Sequence, residues 1–246
     1  MDPYVMCKVR ALTFYIFDGH LYLDGLPLVP RHLKKLHLAS VALQKTLLDF
    51  ATCPALEALL MQNCRICADM ISSYSVKHLT IRDCSTADPD CRFRISTPGF
   101  VSLKLYAFNH PTPLLGNMAL LETASVYLYG FDYDVCLNYD SGVFCGANNK
   151  AGKNCVSVRN SVLLDGISSA KHLALRSTFP KFILSRDLKH CSAFSNLKTL
   201  LLDVYWCEAP DLDPLACILK HSPVLEKLTL EIFSREPTHK VVMNGS

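Results

Sequence analysis

The sequence has none of the segments or motifs that would assign it to a membrane or to a familiar enzyme class. No run of residues reaches the roughly 18 consecutive apolar residues that a transmembrane helix requires. The motifs G-x-G-x-x-G, G-x-S-x-G and H-E-x-x-H are missing, and so is the P-loop. We therefore expect a protein that is not an enzyme, needs no cofactor and does not associate with a membrane.

Charged side chains are sparse as well. Only 19% of the 246 residues carry a charge, the net charge is +3, and 50% of the residues are hydrophobic. A composition this apolar is typical of an ordered chain. So weak a positive charge is far from the basic surface of a dedicated nucleic-acid binder. We therefore expect an ordered protein that does not bind nucleic acid.

A secretory signal is also missing, although the chain contains 12 cysteines. The apolar run from Ala11 to Phe17 is short and has no small-residue cleavage site. Disulfides persist in oxidising compartments, whereas the cysteines of cytosolic and nuclear proteins stay reduced. The sequence therefore predicts a cytoplasmic or nuclear protein with free thiols.

What the sequence does contain is one phrase, apolar-x-x-Leu-x-apolar, that returns nine times with some degenerate copies. A regular copy is Leu33-x-x-Leu36-x-Leu38. The middle residues of the nine copies are Leu12, Leu36, Leu59, Leu79, Leu103, Ala124, Leu173, Leu200 and Leu228. Successive middle residues are 20 to 28 positions apart, except for one interval of 49. This spacing is typical of leucine-rich repeats, which are about 20 to 29 residues long.

The last two apolar residues of each phrase are two positions apart, which is the period of a β-strand with one buried face. Stacked copies predict an α/β leucine-rich-repeat solenoid, a single domain of about nine repeats over residues 1–246. In this prediction a curved parallel sheet forms the concave face, and helices and irregular turns form the convex face. The expected helices contain Leu43 to Ala51, Val158 to Ile167, and the segment that starts at Asp213-Pro214.

Residues 130–155 interrupt the repeat pattern. Glycine and asparagine cluster in this segment, which is typical of turns and loops. We therefore interpret the interval of 49 residues as one long repeat that carries a surface loop or an irregular hairpin. Two ordinary repeats are the alternative.

Two repeat openings carry a resemblance to a known family. Residues 53–59, Cys-Pro-Ala-Leu-Glu-Ala-Leu, and residues 222–228, Ser-Pro-Val-Leu-Glu-Lys-Leu, resemble the leucine-rich-repeat region of plant F-box/LRR proteins of the FBD type. The stretch at residues 21–27, Leu-Tyr-Leu-Asp-Gly-Leu-Pro, and the segment from Tyr129 to Gly146 are similar to grass members of that family.

The resemblance implies a substrate-recognition subunit of a cullin-based ubiquitin ligase, in the ubiquitin-conjugation pathway. The chain opens directly on a repeat strand, with no leading F-box. We therefore do not expect it to bind the ligase adaptor, and we expect the recognition half of such a subunit. A truncated family member without ligase function is the alternative.

The outward residues of the predicted strands line the concave face, which is the usual binding surface of a solenoid. Several are aromatic or basic, and Tyr and Arg often anchor protein interfaces. We predict that a protein partner with an acidic segment binds seven of these residues: His78, Arg82, Lys104, Tyr106, Tyr127, His172 and Arg176. A solvated sheet face without a partner is the alternative.

Cys64 and Cys67 form a C-x-x-C pair, which with Cys84 and Cys91 could supply four thiolates to zinc. However, Cys64 and Cys84 stand at the same place in consecutive repeats, where another copy carries Val41. This pattern favours small apolar residues in the core. We therefore predict no metal site, with a cysteine-based metal-binding or redox-responsive protein as the alternative.

Overall fold

The computed structural model describes 142 of the 246 residues. The described residues are 8–17, 21–23, 31–44, 48, 50, 53–87, 93–107, 112–116, 118–128, 163–177, 187, 193–203 and 212–231. For residues 21–23 and 213–214 the description is limited to the backbone. The loop predicted at residues 130–155 lies outside the described ranges.

The described residues contain many short strands and two helices that are described from end to end; Leu48 and Phe50 are also in 3₁₀ conformation, and Asp187 is α-helical. The strands are β1 (Ala11–Tyr15), β2 (Leu21–Leu23), β3 (Lys35–Ala39), β4 (Val41–Leu43), β5 (Ala58–Gln62), β6 (Arg65–Ile66), β7 (Met70–Ser72), β8 (His78–Arg82), β9 (Ser85–Thr86), β10 (Arg94–Ser96), β11 (Ser102–Tyr106), β12 (Leu114–Leu115), β13 (Thr123–Leu128), β14 (His172–Ser177), β15 (Thr199–Asp203) and β16 (Lys227–Glu231). The helices are α1 (Leu164–Ile167) and α2 (Asp213–Lys220). Neither is long and apolar enough to cross a membrane.

Nine of the strands form one parallel sheet in the order β1-β3-β5-β8-β11-β13-β14-β15-β16. The middle residues of the nine phrases lie side by side in this sheet, as Leu12 beside Leu36 and Leu200 beside Leu228 illustrate. The same register continues through every pair between them. The prediction of one strand per repeat, stacked in parallel, is therefore confirmed.

Two smaller parallel sheets follow the main strands, in the orders β2-β4-β6-β9 and β7-β10-β12. Here the helix expected from Leu43 is wrong at that residue, because Leu43 ends strand β4. Repeat length gives the physical reason. An extended chain covers about 3.3 Å per residue against 1.5 Å in a helix, so the return segment of a repeat of 20 to 24 residues is mostly extended. Further along the expected helix, Leu48 and Phe50 are in 3₁₀-helical conformation.

Longer repeats have room for helices. The helix predicted at Asp213-Pro214 is confirmed as α2, although Leu212 rather than Asp213 occupies the N-cap position. It lies in an interval of 28 residues. Of the helix expected from Val158 to Ile167, the last four residues form α1, and its earlier part lies outside the described residues. The described chain is thus a solenoid of parallel β-sheets with few helices.

One hydrophobic core joins the inward residues of all three sheets. Leu36 and Leu38 of the main sheet, Val41 of the second and Ile95 of the third are all at most 1% exposed. The largest fully buried side chains are phenylalanines between strands, Phe50, Phe93, Phe100 and Phe194. Burial of this apolar surface from water is the main source of the solenoid's stability.

Four successive main strands, β3, β5, β8 and β11, are each followed directly by a residue with a left-handed backbone. Ser40, Asn63, Asp83 and Ala107 have φ between 49° and 57°. Each backbone N–H donates to the carbonyl at the end of the next main strand, for example from Asn63 to Arg82 at 2.9 Å. This turn redirects the chain from the main sheet toward the buried positions that follow, such as Val41 and Cys64.

A buried carboxylate caps helix α1 from a distant part of the chain. Asp187 is 1% exposed, and its Oδ2 accepts the backbone N–H groups of Leu163 at 2.7 Å and Leu164 at 3.0 Å. The N-cap residue Leu163 supplies no capping side chain of its own. Asp187 therefore satisfies N–H groups at the positive end of the helix.

Candidate functional site

All seven predicted partner-binding residues lie on the outward side of the nine-stranded sheet, which we call the open face. Along β8, β11, β13 and β14, which carry these residues, buried residues alternate with exposed or half-buried ones. His78 and His172 take the first outward position of their strands, Lys104 takes the central one, and the other four take the last. The sequence alternation therefore placed these side chains on the correct face.

Four of the seven residues form a continuous row, which we call the Arg-Tyr row: Arg82, Tyr106, Tyr127 and Arg176. They stand directly beside one another on β8, β11, β13 and β14. The guanidinium carbon of Arg82 lies 5.3 Å from the ring centroid of Tyr106, within the range of a cation–π interaction. Two arginines thus flank two half-buried tyrosines in adjacent repeats.

Arg176 is already engaged with a carboxylate two strands away. Its Nε and Nη2 donate to the two carboxylate oxygens of Glu231 on β16, each at 2.8 Å. These hydrogen bonds raise the pKa of Arg176 and hold the pKa of Glu231 below its ordinary value of 4.5. Arg176 therefore braces β14 against β16, and its charge is not available in full to a ligand.

Asp203 lies between these two residues in the same row of the sheet. It is 7% exposed, and its Oδ2 accepts the backbone N–H of Ser177 at 2.7 Å. The alternation of the sequence gives Asp203 an outward position, three residues after the middle residue Leu200 of its phrase. The structure uses its carboxylate to hold the end of the neighbouring strand β14.

A shallow depression of about 260 Å³ lies on the open face across β11, β13, β14 and β15. It forms because Ser125 and Ala174 are small residues at the central outward position of adjacent strands. Lys104 and His172 line the depression, and Thr199 lines it next to His172. The Nδ1 of His172 lies 2.9 Å from the Oγ1 of Thr199, which fixes the orientation of the imidazole.

The depression brings together only two of the predicted residues, Lys104 and His172. His78 does not line it. The sequence analysis missed Ser125, Ala174 and Thr199. The signal for the first two was present, because a small residue follows the middle residue in two consecutive copies of the phrase.

The open face is electrically asymmetric along the solenoid. From β1 to β14 its outward positions carry four formal cations, Lys35, Arg82, Lys104 and Arg176, and no carboxylate. Its two carboxylates, Asp203 and Glu231, lie at the ends of β15 and β16, and the one outward cation of these two strands is Lys227 at the start of β16. Among the described residues, Lys35, Arg82 and Lys104 have no carboxylate partner.

Three of the lysines just before main strands are arranged differently, because a glutamate just before another main strand neutralises each of them. Lys34 pairs with Glu57 at 3.1 Å, Lys171 with Glu122 at 2.8 Å, and Lys198 with Glu226 at 3.2 Å. The lysine lowers the pKa of the carboxyl in the first two pairs, through a hydrogen bond and its charge. At these three strand starts the positive charge is therefore neutralised, whereas Arg10 and Lys77, just before β1 and β8, have no carboxylate partner among the described residues.

The two repeat-equivalent cysteines are core residues, as the sequence predicted. Cys64 is 1% exposed and Cys84 is 0% exposed. The Sγ of Cys84 accepts the backbone N–H of Cys64 at 3.4 Å. The contact with Cys64, together with burial, raises the pKa of Cys84.

The proposed zinc ligand set is only partly covered by the structure. Cys91 lies outside the described residues. Within the described ranges no three histidine, cysteine, aspartate or glutamate side chains are grouped so that they could hold a metal ion. The prediction that Cys64, Cys67, Cys84 and Cys91 do not form a zinc site therefore stays a prediction.

Comparisons of this chain with protein families, with curated protein sequences and with solved structures found no match.

Proposed function

We propose that this chain is a leucine-rich-repeat interaction module, without enzymatic activity, that binds a protein partner on the open face. In keeping with the resemblance to plant F-box/LRR proteins, the partner is a substrate presented for ubiquitination. Repeat intervals of 20 to 28 residues and one in-register parallel strand per repeat support the leucine-rich-repeat assignment.

The observation that carries the proposal is the Arg-Tyr row. A sheet face that only has to be solvated can carry any polar residues, and nothing requires aromatic and guanidinium groups in adjacent repeats. Tyr and Arg are enriched among the residues that dominate the free energy of protein binding. Their side chains combine a large contact area with polar ends, and Tyr loses little conformational entropy when it is immobilised.

Affinity capture from a native plant extract tests this function. The intact chain is compared with the double variant Arg82→Ala/Tyr106→Ala, which removes the stacked pair. We expect the variant to lose specifically captured proteins, with at least a tenfold weaker affinity for a partner once it has been purified. Truncation of outward side chains should leave the core intact, and the unfolding transition checks this.

The matched control is Arg94→Ala/Tyr74→Ala, which removes the same residue types elsewhere. Arg94 is an exposed residue of β10 in the third sheet, and Tyr74 is 91% exposed. This control should capture the same proteins as the intact chain. Equal capture by all three proteins, or no specific capture by any of them, would refute binding at the Arg-Tyr row.

A further inference from the structure

We propose that the segment bound on the open face is an extended acidic peptide whose carboxylates lie over Lys104 and Arg82. This inference rests on the function proposed above and names the chemistry of the partner on the same surface. It commits to a protein segment rich in aspartate or glutamate, in preference to a nucleic acid or a free phosphate.

Charge complementarity is the first step. Lys35, Arg82 and Lys104 project from the open face without a carboxylate partner among the described residues. Three lysines just before strands, Lys34, Lys171 and Lys198, by contrast have glutamate partners within 3.2 Å. Unneutralised cations gathered on one face favour an anionic ligand and disfavour a basic one.

The depression supplies a place for one acidic side chain. Small residues at Ser125 and Ala174 leave room there, with Lys104 and His172 at its edge. Because Thr199 engages the Nδ1 of His172, the Nε2 of that exposed ring is the atom that can meet a ligand. A carboxylate in the depression would thus contact an ammonium group and the imidazole together.

Spacing extends the site to a second acidic side chain. Lys104 and Arg82 lie on adjacent strands and are offset by two positions along them. Strands are about 4.8 Å apart, and two residues of a strand cover about 6.7 Å, so the two Cα atoms are roughly 8 Å apart. An extended peptide places every second side chain on one side about 6.7 Å apart. Two acidic residues separated by one residue match this spacing.

Arg176 limits the site at the other end. Its guanidinium already binds both oxygens of Glu231, and the next outward position in the row is Asp203. In this row a carboxylate of the peptide would meet like charge at Asp203 and Glu231, whereas the outward cation of β16, Lys227, lies at the opposite end of that strand. The acidic segment therefore lies over β8 to β14, with Tyr106 and Tyr127 beneath it.

Fluorescence anisotropy with defined probes tests the inference. One probe is a labelled peptide of about ten residues that alternates Glu and Thr, and its matched probe alternates Gln and Thr, so that length and extended propensity are equal. We expect the Glu peptide to bind the intact chain at least fivefold more tightly than the Gln peptide. The difference should shrink in roughly 1 M salt, where surface charges are screened.

Variants locate the binding. Lys104→Ala should weaken the Glu peptide about fivefold, whereas Lys220→Ala, an exposed lysine of α2, should not change its affinity. Glu231→Gln releases Arg176 and should tighten binding of the Glu peptide about twofold or more. Equal affinity for the two peptides, equal losses from both lysine variants, or weaker binding after Glu231→Gln would overturn the inference.

Competition by other anions shows whether the surface binds anions in general. The capture experiment shows whether the acidic segment alone fails or the proposed function fails as well. A single-stranded oligonucleotide or inorganic phosphate that displaces the Glu peptide at equal charge concentration would show a general anion surface and would overturn the inference. If the extract yields partners that depend on Arg82 and Tyr106 but not on Lys104, the proposed function stands and the acidic segment does not. If no partner depends on the open face, the proposed function itself fails.

Discussion

Single residues far apart in the sequence hold the ends of elements in this fold. Asp187 reaches back to cap helix α1, and Asp203 reaches back to the end of β14. Both are buried carboxylates that accept backbone N–H groups. Charge-assisted hydrogen bonds of this kind are stronger than neutral ones, and a buried N–H left without a partner is costly.

Removal of the Asp187 carboxylate should therefore destabilise the protein substantially. We expect Asp187→Ala to lower the free energy of unfolding by about 2–3 kcal/mol, because two N–H groups lose their acceptor. Urea titration followed by circular dichroism measures the loss. The exposed carboxylate of Glu226 provides the comparison, and Glu226→Ala should cost less than about 1 kcal/mol. Equal effects would show that the cap contributes no more than a surface ion pair.

A second residue-scale prediction concerns Ala107. Among the four left-handed positions, Asn63 and Asp83 carry residue types that tolerate a positive φ, whereas alanine at φ 49° is strained. We expect Ala107→Gly to raise the free energy of unfolding by about 0.5–1 kcal/mol. Ala119→Gly, at an exposed turn residue outside that set, should lower it slightly. A lower free energy of unfolding for Ala107→Gly would show that the backbone at Ala107 is not strained.

At the scale of elements, the packing of α1 against β12 depends on the absence of one side chain. An added Cβ at Gly166 would lie 2.4 Å from the Cβ of Leu115 and 2.9 Å from the carbonyl oxygen of Gly116. A glycine-to-alanine change usually stabilises a helix by about 1 kcal/mol. With an added Cβ at residue 166, α1 could not keep its position against β12. The clash therefore outweighs the gain in helix propensity, and the substitution destabilises the protein.

Gly166→Ala should accordingly lower the free energy of unfolding by about 1–3 kcal/mol. Gly99→Ala is the matched control, because its added Cβ would be 3.5 Å from the nearest atom, the carbonyl oxygen of Tyr74. That variant should be close to neutral. Thermal unfolding of both variants decides the question, and a stabilised Gly166→Ala would mean that α1 packs less closely against β12.

Much of the element pattern could be predicted from the sequence, and the exceptions have a physical cause. The nine main strands could be predicted from the repeated phrase, because its last two apolar residues are two positions apart and this is the period of a strand with one buried face. Strands such as β6 and β9 are two residues long and carry no period at all. They form because short return segments must stay extended, which depends on repeat length rather than on local composition.

In the candidate site, too, local properties could be predicted from the sequence and long-range contacts could not. Alternation placed Lys104 and Tyr106 on the open face, since facing is a local property of a strand. The pairing of Arg176 with Glu231 joins residues 55 positions apart, and no pattern in the sequence marks it. The sequence could therefore predict which side chains face outward, but not which of them are already engaged.

At the scale of the whole molecule, ion pairs make the free energy of unfolding depend on pH. The pKa values of Glu57, Glu122 and Glu231 are lowered from 4.5, in each case first by a hydrogen bond from a cationic side chain. A carboxyl with a lowered pKa binds protons less readily in the folded state than in the unfolded state. Its contribution to stability is therefore complete above pH 4.5 and is lost as the pH falls through the lowered pKa.

Unfolding by urea at a series of pH values measures this dependence. We expect a plateau of stability near neutral pH and a decline that begins as the pH falls below about 4.5. Glu231→Gln should make the decline shallower, because one of the titrating groups is gone. Glu226→Gln, at an exposed pair, is the control for a general change of charge. A free energy of unfolding that stays constant down to about pH 3 would contradict the link between protonation of these carboxyls and stability.

The uneven distribution of charge on the open face also gives the solenoid a direction. From β3 to β16 the sheet spans roughly 34 Å, about four times the Debye length of about 8 Å at physiological ionic strength. The cationic and anionic ends are therefore screened from each other. A partner interacts with each end separately once it is within about one Debye length of the surface. Of two opposite alignments of the same acidic segment, the one that extends over β15 and β16 is repelled. The asymmetry can thus determine the polarity with which a partner is held as well as its composition.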